Sequence, residues 1–185
     1  MYGLVHRAIR DMVLAHHGPQ VWEQIQRESG VGDDAFLAMQ SYDDSIVLRL
    51  VGAASEVLDI SQAECLDAFG QFWVLDTAAK HYGTMLDSFG EGIWEFLGNL
   101  NSLHDRISST FQGYDAPSFH LETTEEGVRL LHYQSSRQGL TPFVVGLLKG
   151  LAQHFNTGLL ISIVSEEMNE QGQSTTFCLE EGDCM

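Results

Sequence analysis

Apolar residues recur with helical spacing through the first two-thirds of the chain and with alternating spacing in the last third. Leu4, Val5, Ala8, Ile9, Met12 and Val13 lie on one face of a first helix, which Gly18 stops and Pro19 restarts as PQVWEQIQRESG. DDAFLAMQ is a short helical candidate, and DDSIVLRLVGAASEVL is a helix that ends near Asp59. The run SQAE at 61–64 is a capping box, with Ser61 as cap and Glu64 reaching back; it opens a long helix to about Lys80. GTMLDSFG is a helical turn, and residues 91–111 read as one clear helix.

Pro117 ends the helical region. Phe119 and Leu121 alternate with polar residues, TTEEG is a turn, and VRLLHYQSS alternates again, so the two runs form a hairpin. TPFVVGLLKGLAQHF is a helix with Pro142 in its first turn; TGLLISIVSEEM and STTFCLEE are strands joined by the turn NEQGQ. The pattern predicts an α+β chain: a helical N-terminal part packed on a C-terminal four-stranded antiparallel sheet with a covering helix. Residues 1–185 read as one domain, with a helical subdomain over 1–60 and a second over 61–185 that carries helix 91–111 and the sheet 118–181.

Composition narrows the function. The 9 basic residues against 26 acidic ones leave a net charge of −17, which excludes the basic footprint of a nucleic-acid binder and opposes an anionic membrane surface. No stretch reaches the ~20 apolar residues of a membrane span, and the N-terminus lacks the apolar run of a signal peptide. Cys65, Cys178 and Cys184 contain no Cys-x-x-Cys pair, as expected of a reduced, cytoplasmic protein. Cys178 and Cys184 also have no histidine in 158–185 to complete a zinc site.

Two features carry chemistry. In helix 91–111 the apolar stripe is Ile93, Leu97, Leu100, Ile107 and Phe111, and His104 falls within it. An inward imidazole is either a core histidine bonded to a carbonyl or a metal ligand. No further ligand shares the stripe at zinc spacing, so a metal here brings most of its ligands with it, as haem does. In LHYQSSRQG, Tyr133, Ser135 and Arg137 alternate, which on a strand places three hydrogen-bond donors on one face. They read either as an ordinary exposed strand face or as a clamp for the two haem propionates, with Arg137 pairing bidentately.

With these residues in hand, the runs NLNSLHDRI, APSF and LHYQSSRQGL resemble the haem–nitric oxide/oxygen binding (H-NOX) family. That family includes the haem domain of soluble guanylate cyclase and bacterial sensors. MYGLV, LVGAASEVL and AFGQFWV fit it too, so the resemblance runs along essentially the whole chain. It implies haem b (iron protoporphyrin IX), with His104 as proximal iron ligand. It implies Tyr133, Ser135 and Arg137 on the propionates, Pro117 pressing on the porphyrin, and Leu100 beside the cofactor. Val5, Ile9, Trp73, Phe143 and Leu147 would line the distal side.

The oxygen-binding members of the family carry a tyrosine where this chain has Phe143, so the resemblance implies a ferrous NO sensor, open to CO, that excludes O2. The indole N–H of Trp73 is the one donor that qualifies this. The implied signal is release of His104, read by a separate sensor histidine kinase or diguanylate cyclase, or by a guanylate cyclase if the chain is an excised domain. On this reading the chain is not itself an enzyme. The alternatives are an O2-binding or redox-sensing haem domain, a haem peroxidase, for which the implied distal residues supply no His or Arg, and an acidic interaction domain without haem.

Overall fold

The computed structural model describes residues 1–111, 113–170 and 172–182, without the side chain of Asp33. Cys184 lies outside them. The sequence begins its helical half with α1, Gly3–Ser29. The expected stop at Gly18 is a kink: the glycine takes φ 81° and ψ 175°, a backbone that L side chains avoid, and the helix resumes at Pro19. A 3-10 turn, Asp33–Phe36, leads to α2, Ser45–Leu58, which Asp59 closes in the left-handed conformation. Ser61 caps α3, Gln62–Phe72: its Oγ accepts from the Glu64 N–H at 3.2 Å, while Glu64 Oε2 accepts from the Ser61 N–H at 2.8 Å.

Two helix boundaries depart from expectation. The helix opened by Ser61 does not stop near Lys80. It runs through a π-helical segment, Trp73–Ala78, into α4, Ala79–Asp87, where Leu86 is buried and packs the last turn onto the core. The helix expected over 91–111 is two, α5 (Ile93–Gly98) and α6 (Leu100–Ser108), broken at Asn99 with φ −100° and ψ 5°. Gly98 is a poor helix former, and the Asn99 side chain donates to the Phe89 carbonyl at 2.9 Å instead of pointing to solvent.

The sheet is antiparallel, in the order β1-β2-β4-β3, from β1 (Ser118–Thr123), β2 (Arg129–Ser135), β3 (Leu159–Asn169) and β4 (Gly172–Glu181). Phe119 pairs with Tyr133, and Tyr133 with Thr175. Phe119, Leu131, Tyr133, Phe177 and Leu179 are buried on its inner face, under α7 (Thr141–His154), which contributes Val144, Leu148 and Leu151. A second core, around Val13, Ile25 and Leu50, joins α1 to α2, and Trp73 packs against both. Between α3 and α7 the backbones nearly touch: a Cβ on Gly70 would strike the Phe143 carbonyl, and one on Gly146 the Asp67 carbonyl. That approach sets Phe143 against Phe69.

Candidate functional site

Between the two cores lies a cavity of about 480 Å³. Its walls are mostly apolar and its lining includes His104, Tyr133, Ser135 and Arg137, the composition of a pocket for a large apolar ligand with a polar end. His104 reaches it from the second turn of α6. Its ring stacks on Phe119 at 5.6 Å and 13° between planes, with Tyr114 at 6.3 Å. Its Nδ1 is buried and makes no hydrogen bond of good geometry, although the Leu100 carbonyl lies close enough to act on the ring. Burial lowers its pKa, against a smaller opposite pull from the Leu100 carbonyl, so the imidazole is neutral near pH 7, the state a metal ligand requires.

The donors come together differently from the expected strand face. Tyr133 and Ser135 are on β2, 3% and 7% exposed, but the strand ends at Ser135. Arg137 lies past it in a bend that closes at Gly139, φ 76°, and its N–H donates to Ser135 Oγ at 3.1 Å. That bend still brings Arg137 to the cavity. Its Nε donates to Asp44 Oδ2 at 2.7 Å and its Nη1 to the Asp115 carbonyl at 2.8 Å. Burial raises the pKa of the Tyr133 hydroxyl, which is thus protonated and able to donate.

Pro117, Val5, Leu100, Trp73, Phe143 and Leu147 also line the cavity. Ile9 does not: it faces a separate space of about 580 Å³ between α1, α2 and α3. It stands one helical turn beyond Val5, ~6 Å further along α1, which carries it past the cavity end. Phe143 stacks on Phe69 at 5.2 Å and 27°, and Phe69 meets Trp73 edge-on at 6.0 Å.

Tyr82, Tyr114, Phe69 and Leu103 line the cavity as well and were not legible as site residues. Leu103 had a signal, three positions after Leu100 and four before Ile107 of the apolar stripe. Tyr82 had none: it departs from helical backbone inside α4, φ −137°, which no local pattern encodes.

The residues fit a haem. A neutral imidazole lines a mostly apolar cavity whose walls also hold Arg106, Arg137 and the hydroxyls of Tyr133 and Ser135, matching a flat apolar metallocofactor with carboxylates on one edge. Among the described residues there is no group of three or more His, Cys, Asp or Glu that could hold a bare metal ion. Fold and site together define a haem-pocket domain of α+β architecture.

The chain belongs to the haem-NO-binding (H-NOX) family, whose model matches residues 2–163. It is 34% identical over 159 residues to the soluble guanylate cyclase gcy-37 of Caenorhabditis elegans, covering 83% of this chain and 22% of that protein. It is 35% identical over 111 residues to the guanylate cyclase soluble subunit beta-2 of Rattus norvegicus, covering 60% of this chain and 16% of that one. The chain thus spans about a fifth of the length of these relatives. Its fold matches an H-NOX protein from S. oneidensis solved in the Fe(II)NO ligation state, with TM-score 0.85 and 23% identity over 99% of this chain and 100% of that one. The family binds haem and NO, and among the described residues no helix is long and apolar enough to cross a membrane.

Proposed function

We infer that this domain is a ferrous NO sensor that excludes O2, holds haem b and signals through release of His104. The observation that carries the selectivity is the stack of Phe143 on Phe69 in the cavity wall, two rings with no hydrogen-bond donor between them. When bound, haem would supply a ferrous iron able to take a diatomic gas. His104 would hold that iron, Pro117 and Leu100 would pack on the porphyrin, and Tyr133, Ser135 and Arg137 would bind its carboxylates. Val5, Trp73, Phe143 and Leu147 would form the gas side. The chain has no Cys-x-x-Cys-His run for covalent attachment, which favours haem b.

The lack of a donor matters because a bond to charged, iron-bound O2 is worth about 1.5–3 kcal/mol, roughly one to two decades of affinity. Release of His104 would remove the tie between the cofactor and α6 and let that helix shift against the sheet, to which Leu100 and Leu103 pack it. A gas that favours the released state then biases the equilibrium between two arrangements of the helical part, 1–60, and the remainder, 61–185. The output passes to a separate sensor histidine kinase or diguanylate cyclase, or to a guanylate cyclase domain, the context that the curated relatives favour. No step in this reading makes or breaks a substrate bond, so the domain is not an enzyme. A cytoplasmic setting away from nucleic acid and membrane is expected: the acidic balance opposes anionic partners, and among the described residues no helix is long and apolar enough to cross a membrane.

One observation favours a second reading. Tyr82 lines the same cavity and carries a hydroxyl, as Trp73 carries an indole N–H. Were either to reach the bound gas, the domain would hold O2. Absorption spectra of the haem-loaded, reduced protein separate the two. The expected result is a spectrum unchanged in air and blue-shifted by NO as the histidine is lost. A stable shift in air moves the function to O2 binding.

A further inference from the structure

The guanidinium of Arg137 is gripped on two sides by the protein. Nε gives its hydrogen to Asp44 at 2.7 Å and Nη1 to the Asp115 carbonyl at 2.8 Å, while Nη2 has no bond among the described residues. The two side chains come from opposite parts of the molecule. Asp44 sits immediately before α2 in the helical half; Arg137 follows β2, 93 residues later. The other oxygen of Asp44 accepts from the Met1 amine at 2.5 Å. Burial works to raise the Asp44 pKa, but the bond from that amine and the charge of Arg137 outweigh it, so the carboxylate is ionised. Asp44 does not line the cavity, whereas Arg137, Ser135 and Tyr133 do.

From this arrangement, and resting on the haem reading above, we propose that Asp44 is a positioning residue for the haem carboxylates. It holds Arg137 at the cavity end with Nη2 left to receive one. A long arginine loses much rotamer freedom when it is fixed; Asp44 fixes it beforehand, so that capture of a carboxylate does not bear that cost. The negative charge of Asp44 would by itself repel a second carboxylate, but the Met1 amine on its other oxygen offsets it; the Asp115 carboxylate, 3.9 Å from Nη1, is the further negative charge that an incoming group meets. Cofactor retention is thereby tied to contact between the helical half and the sheet half. A rearrangement that parts Asp44 from Arg137 loosens the haem, and haem held by Arg137 keeps the halves together.

The test is the rate of cofactor loss to an excess of haem scavenger, for the wild type and Asp44→Asn. Each is loaded in turn with iron protoporphyrin IX and with its dimethyl ester, which lacks the carboxylates. Asp44→Asn should release protoporphyrin about tenfold faster, the lower end expected for a weakened charge-assisted bond, and the ester at the wild-type rate. Equal acceleration of both would make Asp44 a merely structural residue and overturn the proposal, as would no change, or slower loss of protoporphyrin. If Asp44→Asn does not fold, Asp44→Glu keeps the charge and alters its reach; it should speed loss of protoporphyrin alone, and any other pattern counts against the proposal. A wild type that takes up neither porphyrin overturns the haem reading itself, and this inference with it.

Discussion

Phe143, on α7, lies nearly parallel to Phe69, on α3, with 5.2 Å between ring centroids and 27° between planes. The contact exists because Gly70 and Gly146 let the two helix backbones meet. It puts an aromatic face, and no donor, at the position on which the proposed choice between gases rests.

Phe143→Tyr therefore tests the selectivity. The added hydroxyl should raise O2 affinity by roughly one to two decades, seen as a ferrous spectrum that changes in air. A spectrum that still ignores air would mean that the hydroxyl points away from the gas.

Tyr82→Phe removes the donor that the fold unexpectedly brings to the cavity. The variant should bind NO and ignore air as the wild type does, if Tyr82 forms part of the wall and does not donate to the gas. A gain or loss of an air-sensitive spectrum on this substitution would place its hydroxyl on the gas.

His104→Gly should keep the fold, because the ring makes no hydrogen bond of good geometry through Nδ1 that the protein would miss. Circular dichroism should be nearly unchanged. The ferrous absorption band should lose its histidine-bound character and regain it when free imidazole is added. Persistence of that band without imidazole would assign the iron to another residue.

Gly146→Ala should destabilise the domain by about 1–3 kcal/mol, the range for overpacking a close contact. The new Cβ would meet the Asp67 backbone, which is not the end of a flexible side chain. Urea unfolding of the haem-free protein measures this, and an unchanged midpoint would show that α3 and α7 part without cost.

Acid should destabilise the haem-free protein through His6. This side chain is fully buried, with Nδ1 2.7 Å from the Ala35 carbonyl and Nε2 unpartnered. Burial lowers its pKa from the usual 6.5, partly opposed by the Ala35 carbonyl. As pH falls below 6.5 the unfolded chain takes up the proton first, so stability falls until the folded pKa is passed. His104 contributes with the same sign. Urea midpoints between pH 7.5 and 5 should drop less steeply for His6→Gln than for the wild type; equal slopes would clear His6 of the effect.

Local patterns in the sequence determined most of the elements. Ser61 and Glu64 are three residues apart and make their capping box without help from the rest of the chain. Alternation in LHYQSS placed Tyr133 and Ser135 on the buried face of β2, and the order of strands and helix after Pro117 prefigured the sheet. The inward imidazole and the Tyr-x-Ser-x-Arg run were enough to suggest a haem family, to which the chain belongs.

Tertiary structure decided what depends on residues far apart. Asn99 breaks a helix by bonding to the Phe89 carbonyl, and Ile9 misses the cavity that Val5 reaches. Tyr82 enters that cavity through a local departure from helical backbone. Arg137 leaves the strand yet arrives at the site, held by an aspartate 93 residues away. Periodicity records which face of an element is apolar. It does not record how far along its axis two elements meet, or which charged groups that meeting brings within bonding distance.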